Sequence, residues 1–296
     1  VNRTEPEVGT DTAPAIETAT ALETGLYLVA TPIGNLADLT DRARTVLAAA
    51  DRIVCEDTRV TGKLLHHLGL DKPLVAYHEH NAEKRRPALL AELARGAALA
   101  LVSDAGTPLV SDPGYKLVRA ARDAGIAVHP IPGPSAVLAA LTASGLPTDR
   151  FFFQGFLPTK AAARARVVAE LAPLKATLVL FESAGRAADA LDALAAGLGE
   201  REAVLARELT KRFEEFRHGS LGELAAGCRE APPRGEAVLV VAGASEAAEM
   251  DDGAVDAALV EELAAHGPSE AAKRVARRSG RPRRTLYARA LELRRG

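Results

Sequence analysis

The chain has 296 residues, 48% of them hydrophobic, and a formal net charge of −2 at pH 7. That length suggests about two domains able to bury a full core, and the near-neutral balance excludes a protein that draws polyanions through its overall charge. The two cysteines, Cys55 and Cys228, lie far apart and supply neither a disulfide framework nor a metal-ligand spacing. No apolar run nears the ~18–20 residues of a membrane span, and no charged-then-apolar leader pattern opens the chain. The expectation is a cytoplasmic protein with no membrane and no metal.

Residues 1–24, rich in Thr, Ala, Glu and Pro, read as a disordered extension. From Leu26 onward, strand-length apolar runs alternate with amphipathic patterns. Strands are predicted at Leu26–Ala30, Arg52–Cys55, Leu74–Ala76, Ala98–Val102 and Ala127–Ile131. Helices fall between them at Asp41–Ala50, Arg59–His67, Ala82–Arg95 and Gly114–Ala124, with one more at Ser135–Ser144. Such alternation predicts an α/β domain over residues 25–147 with a mostly parallel sheet.

A second α/β domain, 148–243, carries strands at Arg150–Phe156, Thr177–Phe181, Ala203–Ala206, Glu214–His218 and Ala237–Val241. The last two lack long helical crossovers, so this sheet is expected to be mixed. Helices are predicted at Ala161–Leu171, Ala187–Gly197 and Ser220–Gly227. Gly243–Ala254 reads as a linker. A small basic helical unit follows over 255–296, with helices at Asp256–His266, Pro268–Arg278 and Thr285–Arg294. From Lys273 to Arg295 the basic residues face a single acid, Glu292, which marks a candidate polyanion contact in a helix-turn-helix-like unit.

The densest motif is LVSDAGTPLVSDPG at 101–114, where a buried strand delivers Asp104 and two compact turns. LYLVATPIGN (26–35) and VHPIPGPSA (128–136) are similar strand ends. Three such ends are how open α/β sheets build a ligand pocket. The first turn is neither G-x-G-x-x-G nor a P-loop, which disfavours nicotinamide and nucleoside-triphosphate chemistry. Asp104 is placed to meet a ribose hydroxyl or a positive ligand centre, or to form an Asx-turn onto Gly106 or Thr107. Asp112 reads as the cap of the next helix, and Ser135 does not fit the G-x-S-x-G elbow. His78-Glu79-His80 has the spacing for two ligands to one ion but lacks a third. Cys55-Glu56-Asp57-Thr58-Arg59 brings two acids and a cation to a strand end, and ARELTKR at 206–212 concentrates positive charge after another.

ATPIGNLADLTDRA, VCEDTR, YHEHN, LVSDAGTPLVSDPGYKLVRAA, PIPGPSAVLAALTASGLPTDRF, GFLP, LARELTKRFEEF and RGEAVLVV stand here in one order. In that order and spacing the chain resembles the bacterial 16S ribosomal RNA (cytidine-2'-O)-methyltransferases. The resemblance covers roughly Gly25–Gly243 and the basic C-terminal unit. It implies a two-domain tetrapyrrole-methylase-like fold holding S-adenosylmethionine between the domains, methylation of a cytidine ribose in the decoding centre of the small ribosomal subunit, and a homodimer. On this sequence it implies cofactor contacts from Pro32, Ile33, Gly34, Asp104, Gly106, Thr107, Ser135 and Ala136, with Phe181, Ala206 and Glu236 from the second domain. The chain departs from the family pattern at Ala184-Gly185, where a Pro and a bulkier residue are common, and at Gln154, where an acid is frequent.

A ribose hydroxyl is a weak nucleophile, so the reaction asks for a proton acceptor or a positive partner for developing alkoxide. Glu56 and Asp57 are the candidate acceptors, and Lys211 or Arg207 the candidate partner. Arg59, Arg207 and Lys211 are expected to grip the RNA backbone, extended by Arg277, Arg281, Arg283 and Arg284. A tetrapyrrole (precorrin-type) methyltransferase and a non-catalytic RNA-binding assembly factor are the alternatives on the same fold.

Overall fold

The structure is a computed structural model that describes residues 21–244, 252–279 and 281–294. Most of the expected N-terminal extension (1–20) and the middle of the expected linker (245–251) lie outside the described residues. The chain forms two compact units. One ends at Ala139 and also takes in Leu209–Arg212; the other comprises Ala140–Glu208 and Phe213 onward.

In the first unit, β1 (Gly25–Val29), β2 (Arg52–Cys55), β3 (Leu74–Ala76), β4 (Ala98–Val102) and β5 (Val128–Ile131) form one sheet in the order β3-β2-β4-β1-β5. Every pairing in it is parallel. The helices are α1 (Asp41–Ala49), α2 (Thr58–His67), α3 (Ala82–Ala94), α4 (Tyr115–Asp123) and α5 (Ala136–Ala143). Both faces of the sheet are covered, so β1 and β4 alternate between two apolar clusters. Tyr27, Val29, Ala98, Ala100 and Val102 face one, and Leu26, Leu99 and Leu101 face the other. Thr40 caps α1 by accepting the Ala43 N–H at 3.1 Å, and Asp57 caps α2 by accepting the Arg59 N–H at 2.8 Å. Asp112 does not cap α4, contrary to expectation. Gly114, at φ +134°, holds the cap position, and a β-carbon there would meet Leu109 Cδ2 at 2.5 Å and Leu101 Cδ2 at 3.0 Å.

In the second unit, β6 (Phe151–Phe156), β7 (Thr177–Ser183), β8 (Glu202–Arg207), β9 (Glu215–Ser220) and β10 (Glu236–Val241) pair in the order β6-β7-β10-β8-β9. The β6–β7 pair is parallel and the other three are antiparallel, the mixed sheet that the short β8–β9 connection requires. α6 (Ala161–Leu171), α7 (Ala187–Leu198) and α8 (Leu221–Glu230) cover it, with Leu178, Leu180, Leu191, Leu205, Leu221 and Leu239 in the shared core. α8 starts in a full capping box between Ser220 and Glu223.

The three C-terminal helices, α9 (Asp252–Ala265), α10 (Pro268–Ser279) and α11 (Arg283–Leu293), close on Val255, Leu259, Ala272, Val275, Leu286 and Ala290. α9 begins inside the stretch expected as linker. No helix of the described residues is long and apolar enough to cross a membrane.

Candidate functional site

The C-terminal ends of β1, β4 and β5 are stitched together by their own turn residues. Thr31 and Gly106 exchange backbone hydrogen bonds at 2.9 and 3.0 Å, an isolated antiparallel bridge beyond the parallel strands. The Thr31 hydroxyl donates to Ser103 O at 3.1 Å, and the Ser103 hydroxyl donates to Gly106 O at 2.8 Å. Thr107 then donates to Pro134 O at 3.0 Å. Gly106 needs to be glycine on two counts: its φ is +81°, and a β-carbon would press on Ile33 Cγ2 at 3.2 Å. Pro32, Ile33, Gly34, Asp104, Gly106, Thr107, Ser135 and Ala136 therefore gather at one end of the sheet. Ala136 opens α5, and the Leu138 N–H reaches the Ser135 hydroxyl at 3.5 Å. Sequence reasoning missed Thr31 and Ser103 as the cross-links, because their partners lie on other strands. Leu109 (φ +73°) and Ser111 (φ +64°) hold left-handed conformations in the same loop as Asp104. Such strain in non-glycine residues concentrates at functional loops.

Asp104 does not turn back onto Gly106 or Thr107. Its Oδ1 accepts the backbone N–H of Asp57 at 3.1 Å, tying β4 to the β2–α2 turn. Burial and the charges of Glu56 and Asp104 push the Asp112 carboxyl up to about 6. Burial, then the Asp104 charge, also raises Glu56. Asp57 goes the other way, to about 2, because the Arg59 side chain and backbone N–H both donate to it. The two candidate proton acceptors are thereby separated: Glu56 is a strengthened base, and Asp57 is a weak one engaged as a helix cap.

Leu209–Arg212 packs on the TPIGN turn. A β-carbon on Gly34 would meet Leu209 O at 2.9 Å, Thr210 Oγ1 at 3.0 Å and the Lys211 side chain. Lys211 thus stands beside one of the expected cofactor turns. Thr210 (φ +63°) and Glu208 (φ +51°) are left-handed non-glycine residues in this loop.

In the second unit, Phe181 and Ala206 flank Val238 from the two neighbouring strands, and Glu236 opens β10 beside Ser183. The three expected second-domain contacts thus share one end of the mixed sheet. Arg207 is enclosed rather than outstretched. It donates to Arg234 O at 3.2 Å and Phe213 O at 3.1 Å, and its ion pair with Glu215 spans 3.2 Å. That arrangement braces the β8–β9 connection and leaves little for phosphate. Glu182 is buried, paired with Arg186 at 3.3 Å, and Arg186 also donates to Leu157 O at 3.1 Å. At Ala184 the N–H donates to Gly235 O at 3.1 Å, a bond a proline could not make.

A family model described as tetrapyrrole (corrin/porphyrin) methylases matches residues 25–225. The ribosomal RNA small subunit methyltransferase I of Mesorhizobium japonicum is 52% identical over 277 residues, 93% of this chain and 94% of that protein. The chain belongs to the ribosomal RNA small subunit methyltransferase I family. The Xylella fastidiosa member is 48% identical over 88% of this chain and 97% of its own length. A solved uroporphyrin-III C-methyltransferase from Thermus thermophilus, complexed with S-adenyl homocysteine, shares the fold. Its TM-score is 0.53 at 22% identity, over 74% of this chain and 97% of that one.

A second model, the C-terminal helix-turn-helix domain of this family, matches residues 249–294. Here the charge asymmetry read from sequence is partly cancelled by acids of α9 and α10. Arg281 pairs with Asp252 at 2.5 Å, Arg289 with Asp256 at 2.5 Å, and Arg274 with Glu262 at 3.6 Å. Arg283 donates to the Ser269 hydroxyl at 2.8 Å, and Arg284 is exposed. The Arg277 side chain lies outside the described residues. Among the described residues no group of His, Cys, Asp or Glu is arranged to hold a metal ion. His78 instead meets the Asn81 side chain at 3.1 Å.

Proposed function

We propose that this family member transfers a methyl group from S-adenosylmethionine to the ribose 2'-hydroxyl of a cytidine in 16S ribosomal RNA of the small subunit. The reading is supported most by the stitched ends of β1, β4 and β5 around Asp104. One Asp104 oxygen is engaged by the Asp57 N–H, and among the described residues no donor meets the other. A carboxylate so placed, beside close-packed glycine turns, fits a ligand bearing ribose hydroxyls and a sulfonium. Bound there, the cofactor supplies an electrophilic methyl group. Pro32, Ile33, Gly34, Asp104, Gly106, Thr107, Ser135 and Ala136 would hold it, and the family resemblance adds Phe181, Ala206 and Glu236.

Alignment of the ribose oxygen supplies much of the acceleration in such a displacement. Glu56 would take the hydroxyl proton on its carboxylate, since burial and Asp104 make it a better base than an ordinary glutamate. Asp57 would position α2 rather than move a proton. Lys211 would stabilise negative charge developing on the ribose oxygen. Arg59, whose side chain is 87% exposed, would meet phosphate together with Lys211, Arg277, Arg281, Arg283 and Arg284. Arg207 would shape the loop that carries Lys211.

Labelled S-adenosylmethionine incubated with undermodified small subunits tests this directly. The expected label sits on a cytidine ribose; label on a base, or none, overturns the reading. Glu56→Gln should remove most of kcat while Asp57→Asn retains it, and equal losses would discard the assignment of Glu56.

A further inference from the structure

Phenylalanine is scarce and oddly placed in this chain. There are seven, with no Trp, yet Phe151, Phe152, Phe156 and Phe213 are 41–66% exposed. Two of these four occur side by side at the start of β6, one of the two edge strands of the mixed sheet. They line a cavity of about 410 Å³ together with Asp149, Arg150 and Lys175. The depression is open to solvent on one side rather than enclosed. Since β6 and β7 run parallel, the cavity sits at their N-terminal end, opposite the strand ends that carry Phe181 and Glu236. It is therefore at the other end of this sheet from the second-domain residues assigned to the cofactor.

The cavity walls are fixed. Thr177 N–H donates to Arg150 O at 3.0 Å, and the Thr177 hydroxyl to Pro147 O at 2.6 Å. Ala244 N–H donates to Leu174 O at 2.7 Å. Gly243 lies so close that a β-carbon would meet Lys175 C at 2.7 Å and Ala176 N at 2.8 Å. Arg201 donates to Ala172 O at 2.7 Å and Ala242 O at 3.3 Å, locking the same corner from behind. A frame held this firmly preserves a shape, whereas exposed aromatics on a loose loop would not.

We propose that this cavity binds one unstacked nucleotide of single-stranded RNA, as a docking subsite for the RNA substrate. The inference rests on the RNA-modifying reading above. Its chemistry comes from the wall: an aromatic ring stacks on any base, Arg150 and Lys175 are the cations a phosphate requires, and Asp149 can accept from an exocyclic amine. An apolar protein partner would use the rings but has no need of two cations beside them. The chain leaves β10 along this corner, at Gly243-Ala244, on its way to the basic helix-turn-helix unit.

Full-length protein should be photo-crosslinked to short single-stranded RNA carrying 4-thiouridine, and the attached peptide mapped. The expected adduct lies in the peptide containing Phe151-Phe152. In parallel, fluorescence anisotropy with labelled oligocytidine and oligoadenosine should show about tenfold weaker binding for Phe151→Leu/Phe152→Leu, the loss of one stacked base. Leucine keeps apolar bulk, so an unchanged Tm separates lost stacking from misfolding. Arg150→Glu and Lys175→Glu should weaken binding similarly. Adducts confined to other peptides, with all variants binding RNA normally, would overturn the proposal. So would sedimentation showing a dimer that dissociates in the Leu variants while RNA affinity holds, which would make this face an interface between copies. Methylation of small subunits by the unaltered protein is scored separately, so failure of the subsite and failure of the proposed activity are told apart.

Discussion

The Glu208 carboxylate occupies the space where a β-carbon on Gly235 would stand. Gly235 has φ +87°, Glu208 has φ +51°, and the Glu236 N–H donates to Glu208 Oε1 at 3.2 Å. Two motifs far apart in sequence, RELTK and PPRGE, are thus interlocked through one glycine. Gly235→Ala meets both a left-handed backbone and an occupied volume, and should cost about 2–3 kcal/mol. Adding Glu208→Ala relieves the steric part alone. Urea denaturation of the single and double variants should show a coupling of about 1 kcal/mol; strict additivity would refute the interlock.

Gly34 differs, since its backbone is not left-handed and only contact forbids a side chain. Gly34→Ala drives a methyl into Leu209 O and Thr210 Oγ1 and should cost about 1–3 kcal/mol. Displacement of the Leu209–Arg212 loop should also lower methyl transfer. A variant with native Tm and full activity would mean that this packing carries neither stability nor function.

Asp104→Asn keeps an oxygen to accept the Asp57 N–H and removes the charge. Turn geometry should survive while affinity for S-adenosylhomocysteine, read by calorimetry, falls about tenfold or more with the lost charge-assisted contact. Unchanged affinity would reduce Asp104 to a brace between β4 and α2.

Asp112 sets a pH dependence. Its folded carboxyl titrates at about 6 against an ordinary 3.8, raised by burial and by Glu56 and Asp104. The folded state therefore holds the proton more tightly than the unfolded chain. The stability contributed by the neutral acid is complete below about pH 4 and is lost as pH rises through 6. Because the group is only half-buried, screening limits the effect to about 1 kcal/mol. Asp112→Asn should flatten the Tm profile between pH 4 and 7 and raise Tm at pH 7.5. A profile that keeps its slope would point to another group.

Much of this molecule is local and so was legible in its residues. Apolar alternation located the strands within a residue or two, because a strand buried on both faces needs an unbroken apolar run, as in Ala98–Val102. The short β8–β9 connection announced the mixed sheet, and turn residues marked the strand ends that carry Pro32–Gly34, Asp104–Thr107 and Ser135. Only tertiary structure decided what the charges do. It tied Arg207 to Glu215, set acids of α9 against the basic tail, made Asp57 a cap, raised the Glu56 carboxyl through burial and Asp104, and denied Asp112 the cap expected of it. Periodicity and turn chemistry act between chain neighbours. Coulomb interaction and burial act through space, and residues as far apart as Glu56, Asp104 and Asp112 come to share one environment only once the strands are aligned.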